Sequence, residues 1–113
     1  MTTVIINKNQ DIIKLNLSDI YYIRTHPEKP HYVQVITADT SYDVMDKLKN
    51  WEINFPEDLT RCHRNCLVNI SQIREVRFQE KEVILGNSGQ YRVKFSRRRY
   101  GYLRDLLLNK GDA

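Results

Sequence analysis

Apolar and polar residues alternate along most of this chain, and a period of two marks strands with one buried face. Thr3–Ile6 and Ile12–Leu17 carry the pattern first. Ser18 and Asp19 mark a turn. Ile20–Thr25 (IYYIRT) follows as a run of β-branched and aromatic residues, which fit a pleated surface. His26–Pro30 (HPEKP) reads as a loop, because proline cannot donate to a sheet ladder and this segment has two of them. His31–Thr37 sets Tyr32, Gln34 and Ile36 against Val33, Val35 and Thr37. After a turn at Ala38 and Asp39, Thr40–Val44 completes a hairpin with it.

The period changes at Met45–Ile53. Met45, Leu48, Lys49 and Glu52 recur at helical spacing, and Trp51 caps a short amphipathic helix. Phe55–Asp58 is a loop. Thr60–His63 and Leu67–Asn69 are short strand-like pieces around the basic turn Arg64–Asn65. Ile73–Gln79 is another strand, and Val83–Leu85 pairs with Gln90–Phe95 across Gly86-Asn87-Ser88-Gly89. Ser96 stands where an N-cap belongs, before a helix over Arg97–Asn109 that Lys110 and Gly111 end. Gly101 weakens that helix by roughly 1 kcal/mol relative to alanine. The total is about eight short strands, one short central helix and one C-terminal helix. This predicts a mainly β domain, a sandwich or rolled sheet with appended helices. Trp51, Phe78, Leu103, Leu106 and Leu107 are expected in the core.

At 113 residues and 41% hydrophobic, the chain suits one domain, residues 1–113, with one modest core. No apolar run approaches the roughly 20 residues that span a bilayer, and no leader-like segment opens the chain, so the cytoplasm is the expected compartment and no membrane partner is expected. Gly-rich phosphate loops and the zinc-protease and serine-hydrolase motifs are absent, and the carboxylates form no evident acid/base pair. No catalytic residue and no cofactor are therefore assigned, and an enzyme is not expected. Cys62 and Cys66 flank His63, but a zinc site needs about four ligands, and His26 and His31 lie some thirty positions away. Neighbours on a strand point to opposite faces, which separates Cys62 from His63. Reduced thiols half-buried in a strand, and no metal site, are the resulting expectation.

The charge is unevenly placed. Residues 1–60 hold six Lys/Arg against nine Asp/Glu, whereas residues 61–104 hold eleven against three. A concentrated basic field suits a polyanionic partner, and arginine suits the planar, bidentate recognition of phosphate and guanine edges. No helix-turn-helix, RNA-binding aromatic octamer or zinc finger is visible. The basic residues fall at loops and strand ends: Lys29 and His31 beside the proline loop, His63-Arg64-Asn65 at the basic turn, and Lys94 to Arg99 (KFSRRR) at the final junction. Long donors on loop tips can enter a groove as a helix would. Tyr21, Tyr22 and Tyr32 offer a different partner, single-stranded bases, although interior packing also accounts for them. A third reading is a protein-interaction domain with an acidic partner.

Three segments resemble the LytTR family of bacterial DNA-binding domains: LSDIYYI (17–23), Phe55 through RCHRNCLVN (61–69) with Ile73, and VKFSRRRY (93–100). The central one is the specific one, and the three occur in order over nearly the whole chain. The resemblance implies an elongated fold of mostly antiparallel strands that binds double-stranded DNA through loops placed in successive major grooves, often with bending. Carried over by position, it makes His31 the opening of the strand after the first recognition loop. It puts Arg64 or Asn65 in the second contact loop, and Arg97 or Arg98 where a base-reading arginine is expected. Lys29, Lys94 and Arg99 become phosphate contacts, which set register without reading sequence. Asn65 stands where many members have serine, and Cys66 where an aromatic is common, so Arg64 and Asn65 remain alternatives.

His63 is expected to pack and hydrogen-bond within the fold, and Asn69 to make a turn. Such domains usually follow a receiver domain in response regulators of two-component systems, and 113 residues do not hold both. An excised effector domain and a stand-alone regulator are both compatible. A module of this size makes a modest interface, so two adjacent repeated sites, with a homodimer formed on the DNA, are expected.

Overall fold

The computed structural model describes residues 2–111, without the side chains at 110 and 111. Its ten strands, among the described residues, form three antiparallel sheets. β1 (Thr3–Lys8) and β2 (Asp11–Asn16) make a hairpin by themselves. The largest sheet has five strands in the order β5-β4-β3-β7-β6. They are β3 (Ile20–Thr25), β4 (Tyr32–Thr37), β5 (Ser41–Met45), β6 (Leu59–His63) and β7 (Cys66–Asn69). α1 (Leu48–Asn54) lies between β5 and β6. The third sheet is β8 (Ile73–Arg77), β9 (Glu82–Leu85) and β10 (Tyr91–Lys94), and the chain ends in α2 (Tyr100–Gly111).

The five-stranded sheet is covered on both faces. One face, with Ile20, Ile23, Val33, Val35, Leu59 and Leu67, packs against Val4 and Ile6 of the first hairpin and Leu48 and Trp51 of α1. The other, with Tyr21, Cys62, Cys66 and Val68, packs against Val83 and Leu85 of the third sheet, Phe95, and Leu103 of α2. The molecule is thus layered, with principal extents of 43 × 30 × 26 Å. All four residues of β7 are buried, which is why CLVN shows no alternation of polar and apolar residues. A register shift between Ile20 and Tyr22 lets Ile20 and Ile23 share a face despite their odd spacing.

Most elements fall where the pattern placed them, and the exceptions have local causes. The central helix starts at Leu48, not Met45. Met45 ends β5 opposite Tyr32, and the Asp46 carboxylate accepts from Lys47 N and Asn50 Nδ2, both at 2.7 Å, which starts the helix later. Trp51 is not a cap but a core residue, 5% exposed. Ser96 makes no side-chain cap. Its N–H donates to Cys62 O at 2.9 Å, Arg97–Arg99 form a 3-10 turn, and the α-helix begins only at Tyr100. Leu103 is fully buried while Leu106, Leu107 and Phe78 are half-buried. Both thiols are free and buried, deeper than a half-buried strand position.

Asn69 does more than turn the chain. Its Nδ2 donates to Leu17 O at 3.1 Å and Ile20 O at 2.8 Å, while Oδ1 accepts from Ser71 N and Oγ. It therefore ties the end of β7 to the start of β3.

Candidate nucleic-acid interface

The loop between β3 and β4 is built around His26. Its side chain is 9% exposed, and Nδ1 accepts the backbone N–H of both Glu28 and Lys29 at 3.0 Å. Nδ1 therefore carries no proton, and Nε2 donates to Asp43 Oδ1 on β5 at 3.2 Å. The other carboxylate oxygen of Asp43 lies 2.8 Å from Lys29 Nζ. This hydrogen bond from Lys29, with a smaller contribution from the nearby His26, holds the Asp43 carboxyl below the usual carboxylate range, and the lysine is raised in return. His31 closes the loop in the left-handed region, φ 67°, with its carbonyl accepting from Asp46 N at 3.2 Å and its side chain exposed.

The basic turn joins β6 to β7, where His63 pairs with Cys66 and leaves Arg64 and Asn65 as the two-residue connection. Its backbone is braced from three sides. Arg64 O accepts from Arg61 Nη1 at 2.6 Å, and Arg61 Nη2 reaches Glu52 of α1 at 3.0 Å. Asn65 N donates to His63 Nδ1 at 3.2 Å, and Asn65 O accepts from Thr25 N at 2.9 Å. His63 thus has the packing and hydrogen-bonding role expected of it. The side chains of Arg64 and Asn65 stay exposed.

The third segment, Lys94 to Arg99, is pinned beside this turn through Cys62. The Cys62 thiol donates to Lys94 O at 3.6 Å, Cys62 O accepts from Ser96 N, and Phe95 is buried with its ring 5.8 Å from that of Phe78. Arg97 and Arg98 are exposed and Arg99 is half-buried. The Cys66 thiol is pushed well above its ordinary range, chiefly by its hydrogen bond with Cys62 and then by burial, and both cysteines lack the exposure that a reactive thiol requires.

Two backbone hydrogen bonds, Thr25 to Asn65 and Ser96 to Cys62, therefore join three segments that lie tens of residues apart in sequence. An open groove of about 600 Å³ runs among them. Its walls include His26 and Pro27 of the first loop, His63 and Asn65 of the turn, and Arg92 and Lys94 of β10, with Arg24 on β3. Among the described residues, no carboxylate lines it. Asn65 and Lys94 face the groove. Lys29, His31, Arg64, Arg97, Arg98 and Arg99 do not line it but sit on the three segments that border it.

Reading the sequence did not single out His26, Asp43, Arg24 or Arg92. Arg92 was visible only as one of the eleven basic residues. The His26–Asp43 contact depends on pairing β4 with β5 so that Gln34 faces Asp43, which no local pattern signals.

A β scaffold with basic loops gathered around a groove that no carboxylate lines among the described residues has the features of a nucleic-acid-binding module. The chain matches the LytTr DNA-binding domain over residues 10–108 and belongs to that family. Its activity is accordingly DNA binding in transcription regulation, and the family is not a catalytic one. Among solved structures, it is similar to the LytTr DNA-binding domain of a protein described as a methyl-accepting/DNA response regulator from Bacillus cereus. The TM-score is 0.75 and the identity 24%, over 95% of this chain and 97% of that one, a likeness of fold. No curated protein matches the chain. No described helix is long and apolar enough to cross a membrane.

Proposed function

We propose that residues 1–113 act as a sequence-specific reader of double-stranded DNA, the effector part of a two-component response regulator, with its loops inserted in successive major grooves. His31, Arg64, Asn65, Arg97 and Arg98 are the base-contact set, and Lys29, Lys94 and Arg99 hold phosphates. The observation that carries this reading is the pair of backbone hydrogen bonds that ties the three basic segments into one cluster. Their side chains are held out on turns whose backbones are hydrogen-bonded, so the ordering cost on binding falls mainly on the side chains and not on the backbone. Lys29 is paired with Asp43 in the free protein and would exchange that partner for a phosphate. Two modules on repeated sites one helical turn apart, forming a dimer on the DNA, would supply the affinity that a single small interface lacks.

Selecting bound sequences from a random duplex pool tests the reading. On the selected duplex, Arg98→Ala should lose about 1–3 kcal/mol of discrimination against random DNA, whereas Lys94→Ala should weaken both alike. Equal losses on both duplexes for Arg98→Ala would count against base reading there. The single-strand alternative finds little support: Tyr21 is buried, and Tyr21 and Tyr22 are engaged by the Tyr91 ring at 4.9 and 6.2 Å.

A further inference from the structure

The groove among the three segments enters the account above only through Asn65 and Lys94, yet the rest of its lining has a definite chemistry. Arg24, Arg92 and Lys94 reach it from two different sheets, and no carboxylate among the described residues lines it. Tyr22, Pro27 and Val93 add apolar surface between the cations. We propose that this groove seats the sugar–phosphate strand of duplex DNA, and that Arg24 and Arg92, with Lys94, hold its phosphates.

The state of each cation fits that task. Arg24 Nε donates to Gln34 Oε1 at 2.8 Å, which fixes the plane of the guanidinium and leaves both terminal nitrogens for a bidentate phosphate. Arg92 and Lys94 share one carboxylate, Glu82, at 3.9 and 3.6 Å, and their side chains are 57% and 70% exposed. One half-buried acid for two cations leaves excess positive charge beside the groove. The apolar stretches match the C–H faces of deoxyribose between successive phosphates. The position also follows from the loops. Elements that read successive major grooves on one face of a duplex must straddle the backbone and minor groove between them, and this groove lies between those elements.

The assignment rests on the loop reading proposed above, and the test separates the two. Binding of the full chain to the selected duplex and to a random duplex is measured by fluorescence anisotropy over a range of salt. Wild type, Arg24→Gln, Arg92→Gln and Lys8→Gln are compared, the last an exposed position on β1 outside the groove. Each groove variant should lose roughly tenfold affinity equally on both duplexes, and its salt slope should become shallower by about 1. Lys8→Gln should leave the slope unchanged. Arg24→Lys, which keeps the charge, should recover the slope but not the full affinity, and this also controls for folding. If both groove variants behave like Lys8→Gln while Arg98→Ala still loses discrimination, the groove does not hold the backbone and the loop reading stands. A loss confined to the selected duplex would make these arginines base readers and overturn the assignment. Displacement of the duplex by pyrophosphate at matched ionic strength would give the groove to a small anion instead. If wild type binds no duplex at low salt, both readings fall.

Discussion

Replacing Asn69 should cost the fold far more than a one-residue turn would suggest. The side chain is 2% exposed and makes four hydrogen bonds, two donated and two accepted. Alanine removes the donors from the carbonyls of Leu17 and Ile20, and each buried polar group left without its partner costs about 1–3 kcal/mol. The Ser71 side is only part-buried, and water can replace the lost acceptor at smaller cost. Together these give about 3–5 kcal/mol, a large share of the roughly 5–15 kcal/mol that holds a domain folded. The melting temperature should fall on the order of 15–25 °C. Urea unfolding followed by far-ultraviolet circular dichroism measures the loss directly. Asn69→Asp separates the two sides of the network, since it keeps the acceptor for Ser71 but turns a carboxylate toward two carbonyls. It should be at least as unstable as Asn69→Ala. An Asp variant within 1 kcal/mol of wild type would refute the donor account. Because Asn69 lies at the end of β7 opposite the basic turn, the folded fraction of either variant should bind DNA with unchanged specificity.

Three further outcomes follow from the same structure. The folded state holds the Asp43 carboxyl below its usual range, so its ionisation favours folding; that gain is complete above about pH 4 and is lost as the pH falls through the lower folded value. Asp43→Asn should therefore flatten the acid limb of a plot of melting temperature against pH, and parallel acid limbs in the two proteins would contradict this. Cys62 and Cys66 should resist a thiol reagent in native buffer and react together in urea, because both are buried; prompt labelling of the native chain would show the third segment opening. Leu103→Ala should destabilise by about 2–5 kcal/mol, since this fully buried residue anchors α2 in the core shared by the central and third sheets; urea midpoints check it, and a loss below 1 kcal/mol would mean that α2 is not held there.

Local pattern carried a good deal of this molecule. Ile20–Thr25 was legible as a strand to the residue, because its two buried faces still left a run of β-branched and aromatic side chains. The three basic loop segments were legible too, because turns must be polar and arginine at a strand end has few structural reasons to be there. The family signature around Arg61–Asn69 pointed to DNA binding, which the family match bears out for the domain as a whole. What local pattern missed was set by contacts between distant residues. Met45 has helical spacing with Leu48, but its backbone pairs with Tyr32. Ser96 has the chemistry of an N-cap, but its N–H is taken by Cys62.

The sequence by itself determined which stretches become strands, where the chain must turn, and which turns carry cations, because side-chain periodicity and turn chemistry act over a few residues. Only the tertiary structure decided that the turn at Asn65 meets Thr25, that His26 lies against Asp43, and that Arg24 and Arg92 open onto one groove. Those juxtapositions depend on strand order and register across two sheets, and register is chosen by burying both faces of the central sheet at once.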